Sequence, residues 1–206
     1  MSGRVVVLAS GGGRSLENLQ QHIDDGRLAA ELVGLVVSRQ PLGVIERAER
    51  LGISWQEIGR STHPELADRD LALVKVIDAM HPDLIVMAGW LALLPIPSQW
   101  TGKVINIHPA LLPAYGGKGY WGNHVHAAVC ADGPLISGCS VHFASLEYDQ
   151  GALIAQEAVP LAAADDAESL GARVFDAEKR VLPEAIAHVL SGRACLVGGQ
   201  TEWNIG

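Results

Sequence analysis

Asn106 and His108 stand two residues apart at the end of a short apolar run, residues 104–107, and Pro109 stops that run at once. In extended chain this spacing sets both side chains on the same side. The amide offers a fixed donor to a developing oxyanion, and the imidazole donates a hydrogen bond or moves a proton near neutral pH. Asp149, inside the polar turn E-Y-D-Q-G, adds a carboxylate that orients an imidazole, raises its pKa or takes a proton through water. No Ser or Cys has nucleophile context such as G-x-S-x-G, so the set suits direct attack by one substrate on another rather than a covalent enzyme intermediate.

Other groups lie close by in sequence. Ser140 and His142 share one side of the pleat in the run I-S-G-C-S-V-H-F, residues 136–143. Within an apolar strand, a histidine such as His142 is more often structural than reactive. His124 and His126 alternate as strand neighbours do, which raises a metal site as an alternative. No carboxylate stands at a recognised ligand spacing with them, and no metal is expected. Cys130, Cys139 and Cys195 are odd in number and show no C-x-x-C spacing, so neither a disulfide framework nor a zinc knuckle is indicated.

These groups need a rigid edge to stand on. Residues 4–10 read as a parallel strand buried on both faces, followed by Gly11, Gly12 and Gly13 and then a helix with Leu16 and Leu19 on one face. Strand, glycine turn and helix point free backbone amides at an anion, and Arg14 adds a cation. The same turn also serves as a plain strand-to-helix connection, because it lacks the third glycine of a dinucleotide fingerprint and the Lys-Ser/Thr pair of a P-loop. A second strand is expected at 31–38, a helix at 43–51 ended by Gly52, and a third strand at 53–58. Residues 62–69 read as irregular, 70–80 as a helix with Leu71, Val74 and Ile77 on its apolar face, and 83–88 as a fourth strand. Trp90, Leu91, Ala92, Leu93 and Leu94 follow it, either as loop packing or as an apolar wall for a flat aromatic ligand.

Pro113 and the four glycines at 116, 117, 119 and 122 keep the stretch up to His126 from reading as helix. Residues 152–160 read as a strand returning antiparallel to 136–143. Asp165 or Asp166 caps a long helix over about 167–190, with a kink or break at Pro183. The tail after Gly192 is coil or a short edge strand. The expected fold is α/β: a doubly wound, mainly parallel Rossmann-like sheet with antiparallel additions in the C-terminal half. The 206 residues are read as one domain, with 1–100 as a nucleotide-binding half and 101–206 as a catalytic half.

Apolar residues make up 49% and charged residues 18%, a globular balance, and the net charge of −8 argues against a nucleic-acid groove. The apolar run 5–9 is too short for a signal-peptide core or a membrane span. A cytoplasmic protein acting on small molecules, without nucleic acid or membrane as partner, is expected; no oligomeric state follows.

The motifs N-I-H-P-A-L-L-P at 106–113, S-G-C-S-V-H-F at 137–143 and E-Y-D-Q-G at 147–151 resemble the phosphoribosylglycinamide formyltransferase family. The likeness extends to V-V-V-L-A-S-G-G-G near the start, D-L-I-V-M-A-G-W, I-A-Q-E-A-V-P-L and R-V-F-D-A-E-K-R-V-L-P. It implies a formyltransferase fold and transfer of a formyl group from 10-formyltetrahydrofolate, a co-substrate, to the glycyl amine of glycinamide ribonucleotide in purine synthesis. By position, Asn106, His108 and Asp149 become the catalytic trio, supported by Ser140 and His142. Gly11, Gly12, Gly13, Arg14 and Ser15 correspond to the substrate-phosphate turn and Glu178 to the ribose-binding residue. Trp90 to Leu94 with residues 144–149, Ala144 and Glu147 among them, correspond to the folate cleft.

A common form of the family reads S-G-N-G-S-N at the phosphate turn, where this chain has S-G-G-G-R-S, and carries Arg where Ala92 stands. Arg69 and Lys118 are further candidates for ligand contact. The rival readings are a formyltransferase for an amino-sugar nucleotide and a non-catalytic folate or nucleotide module. A methionyl-tRNA enzyme is expected to carry a further basic domain, and a formyltetrahydrofolate hydrolase an additional N-terminal domain.

Overall fold

The computed structural model describes residues 2–204. The chain forms two compact units that meet in sequence between Val104 and Ile105.

The first unit alternates strands and helices: β1 (Gly3–Ala9), α1 (Arg14–Asp24), β2 (Ala30–Val37), α2 (Gly43–Leu51), β3 (Trp55–Glu57), α3 (Leu66–Ala79) and β4 (Leu84–Met87). The strands pair in parallel in the order β3-β2-β1-β4. Val5, Val6, Val7 and Leu8 of β1 and Leu84 to Val86 of β4 are fully or almost fully buried, as continuous apolar strands must be when covered on both faces. The order reverses between β1 and β4, which creates a topological switch point at the carboxyl ends of those strands. The Ser10 amide donates to the Gly89 carbonyl there at 2.9 Å, so the glycine turn after β1 and the residues after β4 stand side by side.

Two expectations need correction in this unit. Residues 66–69 are helical, because α3 begins one turn earlier than residue 70. Its buried residues are Leu73 and Ile77, an i, i+4 pair, whereas Leu71 is 70% exposed. The third strand is also shorter than 53–58, pairing only over Trp55–Glu57.

The second unit contains β5 (Val104–His108), α4 (Asn123–Asp132), β6 (Ile136–Phe143), β7 (Leu153–Pro160), α5 (Ala167–Leu190), and a hairpin of β8 (Ala194–Val197) and β9 (Gln200–Trp203). Strands β5, β6 and β7 are antiparallel neighbours, with Asn106 opposite His142 and His108 opposite Ser140. Asp166 caps α5 by accepting from the Glu168 and Ser169 amides, and the Ser169 hydroxyl answers on the Asp166 amide. The helix runs unbroken through buried Pro183. The fold is thus α/β with a mainly parallel sheet and antiparallel strands toward the C terminus, as expected from the sequence. Among the described residues no helix is long and apolar enough to cross a membrane.

Helix α4 corrects the reading of 104–126. The glycines do hold 109–122 out of helix, but Asn123 onward is helical, so His124 and His126 are not strand neighbours. Two residues apart on a helix, they project about 200° apart, which separates them as a ligand pair. His126 is buried against α5, where a Cβ on Gly171 would stand 2.9 Å from its ring, and exposed His124 contacts Trp121 edge-on at 4.4 Å.

Candidate active site

Pairing between β5 and β6 brings four polar side chains onto one buried patch. His108, Ser140 and His142 are at most 3% exposed, and Asn106 is half-buried. Burying so many polar groups is costly unless each finds a partner. Here the partners are mutual.

The turn from β6 to β7 delivers Asp149 in the left-handed region at φ 57, a conformation that Asp and Asn tolerate better than most residues. Gly151 permits the return, since a Cβ there would fall 1.6 Å from the Phe143 carbonyl oxygen. Asp149 Oδ1 accepts from Asn106 Nδ2 at 3.3 Å and lies 3.6 Å from His142 Nε2. Its Oδ2 accepts the Gly117 amide at 2.8 Å and lies 3.5 Å from His108 Nδ1. Burial alone raises the Asp149 pKa. The charge of His108 and the Gly117 amide pull the other way, and the carboxyl lies below its ordinary value.

The protons can be assigned from the acceptors. His142 Nδ1 faces the Phe143 carbonyl at 2.8 Å, so it carries hydrogen and leaves Nε2 to accept from Asn106 Nδ2 at 3.1 Å. Both neighbours of the Asn106 nitrogen are therefore acceptors, which sets the amide orientation and occupies both its hydrogens. His108 Nε2 faces the Tyr115 carbonyl at 2.7 Å and likewise carries hydrogen. Burial pushes the His108 pKa below its ordinary value, although Asp149 and the Tyr115 carbonyl both pull it upward.

Ser140 acts on the backbone behind the histidine. It donates to the Ala110 carbonyl at 2.6 Å, and accepts from the Leu112 amide at 3.0 Å and from Gln156 Nε2 at 2.8 Å. Gln156, reaching over from β7, also donates to the Leu112 carbonyl at 3.0 Å. Residues 110–112 are thereby clamped directly after His108. Ala144 is half-buried at the end of β6, and Glu147 is exposed in a turn closed by Ser145 Oγ. Glu178, half-buried on α5, lies near β6: the buried Cys139 thiol is pushed up to about 12 by burial first, then by Glu178 and Glu157.

In the first unit, Gly13 caps α1 in the left-handed region at φ 84, and Arg14 and Ser15 are the first helical residues. A Cβ on Gly13 would meet the Val44 backbone at 2.7 Å, so this close packing of the turn on α2 needs glycine. The carbonyls of Gly11 and Gly12 turn toward α2, accepting from the Val44 amide and from Arg47 Nε. Beyond β4, Trp90 and Leu94 are buried, while Leu91 and Leu93 are 41% and 42% exposed and Ala92 is half-buried. Arg69 donates to the His63 carbonyl at 3.3 Å, and Lys118 is exposed in the loop before α4.

The structure brings Asn106, His108, Ser140, His142 and Asp149 together. Three contributors escaped the sequence reading: the Tyr115 carbonyl and the Gly117 amide, which act through backbone, and Gln156, which read as an ordinary strand residue. Among the described residues no group of three or more His, Cys, Asp or Glu side chains is placed to hold a metal.

This chain is similar to known proteins along most of its length. It is 37% identical over 191 residues to the trifunctional purine biosynthetic protein adenosine-3 of Gallus gallus, covering 92% of this chain and 18% of that one. It is 31% identical to the phosphoribosylglycinamide formyltransferase of Escherichia coli (strain K12), covering 92% and 88%. The crystal structure of glycinamide ribonucleotide transformylase 1 from Symbiobacterium toebii superposes with a TM-score of 0.90 at 30% identity, covering 98% of this chain and 94% of that one. The chain thus spans under a fifth of the multifunctional relative and nearly all of the shorter one. Residues 3–186, which include every residue of the buried cluster, match the formyl transferase family, and the chain belongs to that family.

Proposed function

We propose that this protein transfers the formyl group of 10-formyltetrahydrofolate to the glycyl amine of glycinamide ribonucleotide. The observation that carries the reading is the buried Asn106–His108–Asp149 cluster, in a family whose relatives bear phosphoribosylglycinamide formyltransferase names. The amine nitrogen attacks the formyl carbon, and the carbonyl oxygen becomes an oxyanion. Collapse breaks the bond to N10 of the folate, which takes a proton as the amine loses one. His108 holds one proton on Nε2 and takes a second at Nδ1, facing Asp149. The resulting imidazolium stabilises the oxyanion, and Asp149 passes protons through water. Asn106 serves the oxyanion by exchanging one of its two internal acceptors for substrate, and Ser140 and His142 keep the edge in place.

In this proposal the turn Gly11–Gly12–Gly13–Arg14–Ser15, at the N-terminus of α1, takes the substrate phosphate. Glu178 takes the ribose hydroxyls. Residues 90–94 and 144–149, with Ala144 and Glu147, take the folate, and Arg69 and Lys118 are held in reserve as ligand cations. The whole chain acts as one formyltransferase domain, residues 1–100 serving the nucleotide and 101–206 the chemistry. Its partners are these small molecules rather than nucleic acid or membrane, and it acts in the cytoplasm.

The test is to mix purified protein with a 10-formylfolate analogue and glycinamide ribonucleotide and follow release of the deformylated folate. Acceptor-dependent turnover is expected. Turnover only with amino-sugar nucleotides, or hydrolysis regardless of acceptor, would overturn the reading.

A further inference from the structure

The loop after β5 reaches both ionisable groups of the cluster through backbone atoms. The Tyr115 carbonyl accepts from His108 Nε2 at 2.7 Å, and the Gly117 amide donates to Asp149 Oδ2 at 2.8 Å. Gly116 between them is closely packed, since a Cβ would stand 2.6 Å from Leu112 Cδ2 and 3.3 Å from Asp149 Cβ, and both would have to shift to admit it. A backbone carbonyl holds its aim only if something anchors its residue. Tyr115 itself sits in the left-handed region at φ 55, unfavourable for an aromatic residue, so the anchor must offset local strain.

Two contacts supply it. The Tyr115 hydroxyl donates to Asp132 Oδ2 at 3.0 Å, on the last residue of α4, and its ring meets Tyr120 edge-on at 6.2 Å. We propose that Tyr115 is a positioning residue whose hydroxyl bond to Asp132 holds its carbonyl against His108, locking a proton on Nε2 and presenting Nδ1 to Asp149. The proposal deepens the assignment of His108 to formyl transfer and rests on it for its catalytic consequence.

The physical logic is a competition between two acceptors. The groups facing the His108 ring are the Tyr115 carbonyl on one side, and Asp149 and His142 from β6 and its turn on the other. His142 has given its own Nδ1 hydrogen to the Phe143 carbonyl. With the Tyr115 carbonyl in place, the neutral ring keeps hydrogen on Nε2. If the carbonyl swings away, the Asp149 carboxylate draws the hydrogen to Nδ1 and the ring loses one of the two acceptors that favour its charged form. The poised second-proton site is then gone.

The experiment uses histidine-labelled full-length protein carrying Tyr115→Phe, Asp132→Ala or Asp132→Asn, with His108→Gln to assign the His108 signals. Nitrogen NMR of the imidazole reports the tautomer, and the pH profile of kcat reports His108 ionisation. Tyr115→Phe keeps the ring contact with Tyr120 and removes only the tether. It is expected to shift His108 toward the Nδ1-protonated tautomer, lower its ionisation, and cut kcat roughly fivefold with KM within twofold, the scale of one hydrogen bond. Asp132→Ala should reproduce this, and Asp132→Asn, which keeps an acceptor oxygen, should restore wild-type behaviour. An altered tautomer with unaltered kcat supports the lock and removes His108 from the chemistry. An unaltered tautomer in Tyr115→Phe, or Asp132→Asn as impaired as Asp132→Ala, overturns the lock whatever kcat does.

Discussion

Asp149 Oδ2 lies 3.5 Å from His108 Nδ1 while the same oxygen accepts the Gly117 amide at 2.8 Å. The carboxylate is therefore held by backbone at a distance where it attracts a proton onto the imidazole without already bonding to it. Asp149→Asn keeps the left-handed backbone that position 149 adopts at φ 57, and its single amide oxygen can accept from only one of Asn106 Nδ2 and the Gly117 amide. Removing the charge should depress His108 protonation and cost at least ~100-fold in kcat with folate affinity retained. Steady-state kinetics with a binding titration of the folate analogue checks this, and turnover near wild type would remove Asp149 from the proton pathway.

Ser140 and Gln156 share one network but should differ sharply in stability. Ser140 is fully buried, and Ser140→Ala leaves the Leu112 amide and the Ala110 carbonyl without their hydroxyl partner. Each buried group so orphaned costs about 1–3 kcal/mol. Gln156 is itself exposed on β7, where water can replace its amide, so Gln156→Leu should cost under about 1 kcal/mol. Urea unfolding of both variants measures the difference. Equal losses would mean that the Gln156 amide contributes as much to the clamp as the buried Ser140 hydroxyl.

The cluster was legible in sequence to the extent that side chains form it. Asn106 and His108 announce themselves by an i, i+2 spacing before a proline, and Asp149 by a polar turn between strands. Tyr115 and Gly117 contribute a carbonyl and an amide, which every residue possesses, so no residue type marks them. Helix α4 was hidden by the glycines before it, and the burial of Leu73 rather than Leu71 by a helix in which apolar residues crowd several faces. Residues 71, 73, 74, 76 and 77 are all apolar, so a 3.6-residue period can be drawn through more than one set.

The glycine turn offers two substitutions with opposite expectations. Gly13→Ala drives a Cβ to within 2.7 Å of Val44 Cα at φ 84, and should destabilise by about 1–3 kcal/mol because backbone cannot step aside. A Cβ on Gly12 meets nothing within 4 Å, so Gly12→Ala should fold normally. If phosphate approaches this turn, Gly12→Ala should nonetheless raise KM for glycinamide ribonucleotide roughly tenfold while leaving KM for the folate unchanged, since close backbone approach to an anion leaves no space for a methyl group. Wild-type KM values for both substrates in Gly12→Ala would move the phosphate site elsewhere.

Acidification should weaken the fold in two stages, to which His108 and Asp149 contribute separately. The folded-state pKa of His108 lies below its ordinary value of 6.5, because burial outweighs Asp149 and the Tyr115 carbonyl. The unfolded chain therefore takes up this proton first. Stability present above about pH 6.5 falls as the pH drops toward the folded pKa, and levels off below it. Asp149 is also lowered, from 3.8, so its contribution is intact above that value and is lost as the pH falls through the folded pKa. Melting temperatures from pH 7.5 to 3 for wild type, His108→Gln and Asp149→Asn separate the two. His108→Gln should flatten the decline just below pH 6.5 and leave the acid limb, while Asp149→Asn should make the acid limb below pH 3.8 shallower, the remainder belonging to Asp25, Asp165 and Asp166, which are also held below 3.8. Asp149→Asn should also steepen the upper limb, because without the carboxylate the buried imidazole ionises at still lower pH. An upper limb that is the same in wild type and His108→Gln would show that His108 is not the buried group whose proton the folded state resists.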